Sequence, residues 1–147
     1  QLSLPETFDS FAWYGKGPYE AYSDRKDGAR FGVYGGTVGE MFVNYIYPQE
    51  NGNRYDVRWT TLESSRDGSW KVTSDAPLQT SVRYYTNMNM AEAMHPFMLT
   101  RSGNVIWHLN HLMAPVGNES CGGKPLEKYV LRPRVWDFTL YFEYEAK

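Results

Sequence analysis

The sequence VWDFTLYFEYE, at residues 135–145, places large apolar side chains at alternate positions. Successive side chains of a β-strand point to opposite faces, so this period of two predicts a strand. One face consists of Trp136, Phe138, Leu140, Phe142 and Tyr144, and the other of Asp137, Thr139, Tyr141, Glu143 and Glu145. A register slip of one residue would expose the five large groups of the first face, so we expect this strand to be firmly placed with that face buried.

Shorter runs of the same alternation lie upstream, at residues 55–62, 78–86 and 105–113. Turn signals separate these runs. Asp67-Gly68 predicts a tight type I′ hairpin, because both central residues of that turn have positive φ. The sequence Ser-Gly-Asn at residues 102–104 predicts a second turn. Short alternating strands divided by such turns are typical of an antiparallel β-sandwich.

Helical periodicity is nearly absent from the chain. Residues 89–95 predict one short helix, which Pro96 ends. Residues 1–50 are rich in glycine and proline and predict long irregular loops over a sheet, where binding or docking surfaces are common. The sequence therefore predicts an all-β fold, an antiparallel β-sandwich with one short helix, as a single domain over residues 1–147.

The composition limits the classes of function. Aromatic residues make up 16% of the chain, which favours strands because flat, stiff rings suit a half-buried pleated surface. The net charge is −2 and the 15 basic residues are scattered among 17 acidic ones, so no face is expected to bind nucleic acid. No run approaches the roughly 20 apolar residues of a membrane-spanning helix, and residues 1–8 show no signal-peptide pattern. The sequence predicts a soluble chain that binds neither nucleic acid nor a membrane.

Three features could carry chemistry by residue type. The glycine-rich run at residues 32–39 lacks the Lys-Ser/Thr of a phosphate-binding loop and no helix pattern follows it, so turns or bulges in a sheet are favoured. His108 and His111 lie three residues apart on a predicted strand and would point to opposite faces, which disfavours a shared metal ion. Cys121 is the single cysteine, so an internal disulfide is excluded and a small buried thiol is favoured over a reactive or metal-bound one. No metal site is predicted.

Two long segments resemble a known family. Residues 13–26, WYGKGPYEAYSDRK, resemble the W-Y-G-x-G-P-x-E-x-Y-x-D-R segment of bacterial β-galactosidases of glycoside hydrolase family 2. Residues 45–59, YIYPQENGNRYDVRW, are similar to that family's Y-x-x-P-Q-E-N-G-N-R-x-D-V-R segment. The resemblance continues through the whole chain into the last aromatic strand. We refer to the two segments as the first and the second signature.

The resemblance implies the C-terminal part of the family's last domain (small chain, domain 5), a large antiparallel supersandwich similar to galactose mutarotases. The catalytic glutamates of these retaining enzymes lie in a central (β/α)₈ barrel that this chain does not contain, so the chain alone is expected to be inactive. No cofactor is expected in this segment, because the Mg and Na used by the family are bound mainly elsewhere. The implied partners are the remaining domains of the parent enzyme and a galactoside at the active-site rim, with a homo-oligomer as a further option. The compartment stays open between the cytoplasm and the periplasm of a bacterium.

One loop of this region carries a site residue in the family. In relatives a Gly-Asp-Asp-Ser-Trp or Gly-Asp-Asn-Ser-Trp loop reaches the barrel mouth, and its Trp gives the sugar a flat face to stack on. Aligned residue by residue, that Trp falls on Cys121, and a thiol cannot supply the stacking area of an indole. The three residues before it keep polar groups that either bind a sugar hydroxyl or hold the loop in shape. The candidates for the substrate rim are Asn118, Glu119, Ser120 and Cys121.

For the two signatures we favour a structural role. Their glycines, Gly15 included, are predicted to adopt backbone angles that other residues avoid, and their prolines to stiffen the approaches. Their charged residues could form ion pairs that pin the loops. The alternative is a sugar-facing role for Glu50 or Arg54. The structural signature residues are Gly17, Pro18, Glu20, Asp24, Arg25, Pro48, Glu50, Asn51, Gly52 and Arg54.

Cleavage of a glycosidic bond needs two carboxylates that face each other about 5 to 9 Å apart. For most of the carboxylates in this chain, turn caps and ion pairs are the favoured interpretation, so no catalytic residue is predicted. The candidates by residue type alone are Glu20, Asp24, Glu40, Glu50, Asp56 and Glu119.

Three functions follow from these observations. The leading hypothesis is a non-catalytic domain that completes the active-site rim and stabilises the assembly of a β-galactosidase. A mutarotase-like epimerase is disfavoured, because His108 and His111 are predicted to diverge. The alternative is a stand-alone carbohydrate-binding module that holds sugar on exposed aromatic residues such as Trp13, Tyr14, Tyr19 or Tyr22.

Overall fold

The computed structural model describes residues 1–117 and 125–147. The strands of this part are β1 (Leu2–Pro5), β2 (Phe8–Gly17), β3 (Arg30–Thr37), β4 (Arg54–Ser64), β5 (Gly68–Arg83), β6 (Asn104–Asn110) and β7 (Leu140–Ala146). The helices are α1 (Val38–Met41) and α2 (Asn87–Glu92), with 3₁₀ turns at Pro96–Met98 and Glu127–Tyr129. Every strand pair is antiparallel, which confirms the predicted all-β class and is consistent with a β-sandwich. Within the described ranges, no helix has the length and hydropathy needed to cross a membrane.

The strands form one sheet in the order β1-β6-β5-β4-β2-β3, with β7 added beside β5. The long strand β5 is its centre: β4 pairs along one edge, while β7 and then β6 pair along the other. Along the edge of β5 that pairs with β7 and β6, Trp70 is opposite Tyr144 of β7, and Val82 is opposite Trp107 of β6. The first signature begins in β2 and the second ends in β4, and these two strands are neighbours. The sheet therefore brings the two signatures together.

The core is built from residues of β2, β4, β5 and β6 together with α1. This one-turn helix packs against β2, β3 and β5, and its residues Val38 and Met41 are buried. Full burial of a large apolar side chain stabilises a fold by about 1.5–3 kcal/mol, so the aromatic and aliphatic members of this cluster dominate its stability. The buried cluster consists of Phe8, Phe11, Trp13, Val38, Met41, Val57, Leu62, Val72, Leu78, Val82, Val105, Trp107 and Leu109.

The C-terminal strand is shorter and less buried than predicted. β7 begins at Leu140 rather than near residue 135, and residues 130–139 belong to no strand. On the face predicted to be buried, Phe142 is 45% and Tyr144 is 49% exposed. The prediction of a buried face is wrong for this chain, because among the described strands β7 pairs with β5 alone and lies at the margin of the sheet.

The first 50 residues are more regular than predicted, since they contain β1, β2, β3 and α1. The glycine-rich run at residues 32–39 lies in β3 and continues into α1, so the expectation that no helix follows it is wrong. Four residues are too few to show helical periodicity, but Thr37 and Glu40 form a capping box at the start of α1. The helix predicted at residues 89–95 is α2, which begins after the cap residue Thr86.

The turn between β4 and β5 is also built differently from the prediction. Gly68 has a φ of +123°, but Asp67 has no positive φ, so the turn is not type I′. The pairing of Ser64 with Gly68 leaves a three-residue loop. The Asp67 carboxylate accepts hydrogen bonds from Thr7 Oγ1 at 2.6 Å and from Ser64 Oγ at 2.7 Å, and these bonds lower the pKa of the carboxyl group. Side-chain bonds, rather than two residues with positive φ, define this turn.

Candidate functional site

The first signature leaves the sheet at the end of β2 and forms a loop over residues 18–29. The peptide bond between Gly17 and Pro18 is cis. Tyr22 and Arg25 are joined by two backbone hydrogen bonds, from Tyr22 N to Arg25 O at 3.1 Å and from Arg25 N to Tyr22 O at 3.0 Å. The Tyr22 side chain is buried, which raises the pKa of its hydroxyl group. Asp24 therefore lies at the tip of a tight turn that is anchored in the core.

Glu20 joins the two signatures. Its side chain is nearly buried, and its Oε1 contacts the Arg25 guanidinium and accepts a hydrogen bond from the Tyr45 hydroxyl. Its Oε2 accepts a hydrogen bond from the backbone N–H of Gly52 at 2.7 Å. Burial raises the pKa of Tyr45, and the hydrogen bond to Glu20 raises it further. The Glu20 carboxylate thus holds the loop of the first signature against the turn of the second.

The second signature turns at Gly52, which has a φ of +74°. A Cβ atom at this position would lie 2.7 Å from the Met41 carbonyl oxygen, so a side chain would be strained by its backbone angle and by contact. Asn51 Nδ2 donates to the Gln49 carbonyl oxygen at 2.8 Å, and Asn51 Oδ1 accepts from Val43 N–H at 3.0 Å. The conformation of this turn is therefore set by a glycine and an asparagine together.

The prediction of unusual backbone angles is wrong for Gly15 and Gly17. Neither has a positive φ, because both lie in β2 as ordinary strand residues. The constraint on them is space: a Cβ atom on Gly15 would lie 2.9 Å from Val57 Cα, and one on Gly17 would lie 2.7 Å from Tyr34 Cδ2. Close packing, not an unusual backbone angle, accounts for these two glycines.

Arg54 of the second signature is buried in the core. Its Cζ lies 4.7 Å from the centroid of the Trp13 ring, and its Nη2 lies 3.1 Å from Met41 Sδ. Burial lowers the pKa of Arg54 to about 10, against the opposing effect of the negative charge on Glu20. Arg54 therefore stays charged at neutral pH and faces the interior of this chain.

A buried arginine outside the signatures, Arg83 of β5, binds the second signature. Its Nη2 donates to Glu50 Oε2 at 3.0 Å and to Asn87 Oδ1 at 3.1 Å. The same Nη2 lies 3.1 Å from His108 Nε2, and a guanidinium can only donate, so this ring nitrogen is the acceptor. Burial, and then the charge of Arg83, lower the pKa of His108 to about 4. His108 is therefore neutral at pH 7, with its proton on Nδ1.

Asp24 connects the first signature to the segment that follows β6. Its Oδ1 accepts a hydrogen bond from Val116 N–H at 3.2 Å, and its Oδ2 accepts one from Gly117 N–H at 2.8 Å. The structure thus places one signature residue at the base of the predicted substrate rim. Outside the described residues lie the rim candidates that follow directly: Asn118, Glu119, Ser120 and Cys121.

A surface cavity of about 330 Å³ lies beside this turn. Its walls include the charged side chains of Arg25 and Lys26 and the ring of Tyr19, which is 73% exposed. The alternative of a carbohydrate-binding module named Trp13 and Tyr22 among its exposed aromatic residues, but each is only 1% exposed, so that part of the alternative is wrong. Their rings belong to the interior because β2 and the tight turn direct them there. Of these three rings, only Tyr19 offers a surface at this cavity.

Comparison with known proteins identifies the family. Residues 1–142 match the sequence model of the family described as β-galactosidase small chain. The chain belongs to this family. The β-galactosidase of Kluyveromyces lactis is 32% identical over 143 residues, which is 97% of this chain and 14% of that protein. The β-galactosidase of Arthrobacter sp. (strain B7) is 35% identical over 147 residues, which is 95% of this chain and 14% of that protein.

A third relative, the β-galactosidase of Lactobacillus delbrueckii subsp. bulgaricus, is 35% identical over 130 residues, or 88% of this chain and 13% of that protein. This small-chain segment therefore spans 14% or less of the length of these relatives. Almost all of the chain is matched, whereas most of each relative lies outside the match. The relationship concerns one region of a much longer polypeptide.

The other candidate carboxylates of the small-chain segment make local contacts. Glu40 accepts a hydrogen bond from Thr37 N–H at 2.7 Å, which lowers the pKa of its carboxyl group. Asp56, at a φ of +55°, forms an ion pair with Arg58 at 3.0 Å. Glu119 lies outside the described residues. Together with the contacts of Glu20, Asp24 and Glu50, these bonds tie the described candidates to their own fold.

His108 and His111, two of the three histidines of the small-chain segment, have separate surroundings. His108 faces Arg83, whereas the His111 ring stacks on Phe138 with the ring centroids 4.9 Å apart. Over residues 1–117 and 125–147, no three His, Cys, Asp or Glu side chains come together as ligands for a metal ion.

Three residues that bind the signatures to each other or to the sheet were not predicted from the sequence: Arg83, Tyr45 and Asn53. Asn53 is fully buried and donates from Nδ2 to the Ala21 carbonyl oxygen at 2.7 Å, so it is a second link between the signatures. Tyr45 and Asn53 lie inside the second signature, and Asn53 directly follows the turn residue Gly52, a position that could have marked it. Arg83 gave no comparable signal, because a single arginine in an alternating strand usually faces solvent.

Proposed function

We propose that this small-chain segment is the C-terminal part of the last sandwich domain of a family 2 β-galactosidase. In that enzyme it completes the active-site rim and stabilises the assembly, while the catalytic glutamates lie in another domain. The parent enzyme would hydrolyse terminal β-D-galactosides with retention of configuration. The observation that carries the proposal is the bond between Asp24 and residues 116–117, because it connects the first signature to the base of the candidate rim. Family membership and the partial coverage of the relatives support the parentage.

The rim residues would contribute polar contacts more than stacking. An amide, a carboxylate and a hydroxyl at residues 118–120 can each hydrogen-bond a sugar hydroxyl. Cys121 has a small, weakly polar side chain and cannot cover a sugar face as an indole does. The galactoside is therefore proposed to be held at this rim by hydrogen bonds with little aromatic stacking.

The remaining domains of the parent enzyme are the proposed partners of the apolar surface near the C-terminus. Large apolar side chains that stay exposed are candidates for an interface with another domain. Any Mg or Na of the parent enzyme is proposed to bind mainly in those other domains. The exposed side chains of this surface are Val135, Trp136, Phe138, Phe142 and Tyr144.

Substitutions at the rim in the complete enzyme test the proposal. Asn118→Ala and Glu119→Ala are expected to raise KM for a chromogenic galactoside by about three- to tenfold with little change of kcat, because they remove uniform binding. Cys121→Trp is expected to lower KM, because an indole restores the stacking area. Glu63→Ala, which changes an exposed carboxylate on β4, is the control. Unchanged KM in all three rim variants would sink the rim role.

The activity of the chain by itself is a second test. Without the catalytic glutamates it is expected to give no hydrolysis of the chromogenic galactoside above the buffer rate. Addition of the complete enzyme to the same assay provides the positive control. Turnover by the purified chain alone that persists through every purification step would contradict the proposal that the catalytic glutamates lie in another domain.

The carbohydrate-binding module is retained as a second candidate because of Tyr19. Its exposed ring lies at a cavity that also presents Arg25 and Lys26, a combination that suits stacking and hydrogen bonding with a sugar. Tyr14 is less suitable, because its ring packs against Phe31 with the centroids 4.7 Å apart. Calorimetric titration of the chain with galactose and lactose separates the two candidates: saturable heat that Tyr19→Ala abolishes favours the module, and its absence favours the rim domain.

A further inference from the structure

A second surface cavity, of about 440 Å³, lies beside the first residues of β4. We refer to it as the β4 cavity. Its volume is within the range of about 300–1,000 Å³ that is typical of small-molecule sites. The end of β2, the loop of the first signature, β4, β5 and the segment after β6 all contribute to its walls. The polar and aromatic residues of these walls are Lys16, Lys26, Tyr55, Asp56, Gln79 and His111, and the other walls are aliphatic.

Two half-buried lysines line the β4 cavity. Lys16 Nζ lies 3.5 Å from the Ala29 carbonyl oxygen, a long hydrogen bond, and Lys26 Nζ lies 5.7 Å from the centroid of the Tyr55 ring. Ala29 N–H donates to the Lys26 carbonyl oxygen at 3.1 Å, so the turn that carries Lys26 also receives Lys16. Among the described residues, neither ammonium group forms an ion pair. Each ammonium group has three N–H donors, so both lysines keep donors for a further acceptor.

Asp56, the acidic residue of the β4 cavity, already has a cationic partner. Its carboxylate forms an ion pair with Arg58 at 3.0 Å. It has a φ of +55° and lies where the pairing of β4 with β5 is irregular, between Arg54 and Val57. Bulges and uncommon backbone angles of this kind are frequent at functional sites. Because Arg58 neutralises Asp56, the two lysines supply the uncompensated charge of the cavity.

The remaining polar walls offer rings and a further donor. The Tyr55 ring borders the cavity next to Lys26, and the His111 ring is held by stacking on Phe138, with the centroids 4.9 Å apart. Gln79 is 3% exposed and its Oε1 accepts from Asn53 Nδ2 at 2.8 Å, so its amide nitrogen is the group left to donate. The side chains around the cavity thus combine positive charge, N–H donors and ring faces.

We propose that the β4 cavity binds a small molecule with an oxyanion group, a carboxylate or a phosphate, which Lys16 and Lys26 hold. Hydrogen bonds between charged partners are roughly twice as strong as neutral ones, so two ammonium groups favour an anion. The same two positive charges disfavour a metal cation. The Tyr55 ring covers the part of the ligand that carries no charge. The site uses none of the residues of the proposed substrate rim, so it stands or falls independently of the proposed function.

Calorimetric titration of the complete enzyme with inorganic phosphate and with citrate tests the site, with sodium chloride at equal ionic strength as the blank. Saturable heat is expected with at least one probe: phosphate alone identifies a phosphate group, citrate alone a carboxylate, and both an oxyanion of either kind. Lys16→Met and Lys26→Met each remove one ammonium group and keep an unbranched side chain. Each is expected to raise Kd by about tenfold or more.

Lys128→Met is the matched control. Lys128 Nζ lies 4.8 Å from the centroid of the Tyr129 ring, much as Lys26 lies over Tyr55, but Lys128 is exposed and outside the β4 cavity. Its loss should leave Kd unchanged. Thermal unfolding of every variant checks that it is folded.

Two conservative variants determine the sign of the charge that the cavity selects. Lys26→Arg keeps the positive charge and should bind more tightly than Lys26→Met. Asp56→Asn keeps a residue that tolerates positive φ and removes the negative charge, so it should lower Kd by about threefold. Weaker binding in Asp56→Asn overturns the proposal, as does an unchanged Kd in both Lys16→Met and Lys26→Met. A wild-type enzyme that gives no saturable heat with either probe overturns it as well.

Discussion

The guanidinium of Arg83 and the carboxylate of Glu50 meet at 3.0 Å, although Arg83 is 2% and Glu50 33% exposed. The bond ties the turn of the second signature to the central strand of the sheet. Asn87 Oδ1 and His108 Nε2 each lie 3.1 Å from the same guanidinium nitrogen, so the three acceptors share its two N–H groups. One buried cation therefore satisfies acceptors from a loop, a helix and a neighbouring strand.

Removal of this cation should be costly. We expect Arg83→Leu to lower the free energy of unfolding by about 3 kcal/mol, because it leaves acceptors in the interior without their donor. Glu50→Gln should cost about 1 kcal/mol, since that side chain is partly solvated and keeps an acceptor. Urea denaturation measures both, with the exposed Arg66→Leu as control. A loss for Arg83→Leu no larger than for Arg66→Leu would contradict the assignment.

The low pKa of His108 predicts a pH dependence of stability. Its pKa is lowered from 6.5 in the unfolded chain to about 4 in the folded protein, so between these values the unfolded state binds more protons. The contribution of His108 is therefore fully present above pH 6.5, is lost as the pH falls towards about 4, and changes no further below that.

Comparison of variants isolates this effect from other titrations. The wild type should lose up to about 3 kcal/mol more than His108→Gln between neutral pH and pH 4. His111→Gln, at a histidine outside the Arg83 network, is the matched control. The measurement is the urea midpoint as a function of pH, and parallel curves for the wild type and His108→Gln would rule out the predicted role of His108.

The strands could be predicted where alternation is local. Residues 55–62 and 105–113 contain a period of two that each segment carries by itself, and they became β4 and β6. The burial of Phe142 could not be predicted in the same way, because it depends on what lies over β7 rather than on the strand. The one-turn helix α1 was missed for a third reason: a four-residue helix has a capping pattern but no measurable period.

The residues of the candidate site also fall into those that a local pattern marks and those that only the tertiary structure brings together. Glu20 and Gly52 could be selected because both lie in the long signatures, but their mutual bond joins residues 32 positions apart. Arg83 and the bond from Asp24 to Gly117 depend on strand order and on chain direction after β6, neither of which is encoded in a local pattern. Sequence reasoning therefore identified the loops, and the structure was needed to show which of their side chains meet.

Two glycines allow steric contact to be separated from backbone strain. Gly52 and Gly103 have similar φ values, +74° and +80°, but a Cβ atom would lie 2.7 Å from Met41 O at Gly52 and would meet nothing within 4 Å at Gly103. We expect Gly103→Ala to cost about 1 kcal/mol through its backbone angle alone. Gly52→Ala should cost about 3 kcal/mol, because the clash adds to the same strain. Thermal or urea unfolding checks both, and equal losses would show that the contact with Met41 relaxes at no cost.

The exposed aromatic residues of β7 predict self-association of the chain when it is separated from its proposed partner domains. Phe142 and Tyr144 are about half exposed on a strand that, within residues 1–117 and 125–147, pairs with β5 alone, so in this part of the chain an apolar face and a strand edge are open to a second copy. Sedimentation velocity over a wide range of concentration should show species larger than the monomer. Phe142→Lys should shift the distribution towards the monomer, because a charge on the open face opposes pairing. Val33→Lys, on the exposed surface of β3, should leave the distribution of species unchanged.

In the complete enzyme Phe142→Lys should lower the stability, because the side chain at this position would then be covered by another domain. Val33→Lys should leave the stability of the complete enzyme unchanged. A wild-type chain that stays monomeric at every concentration would show that the exposed side chains of Phe142 and Tyr144 do not cause self-association.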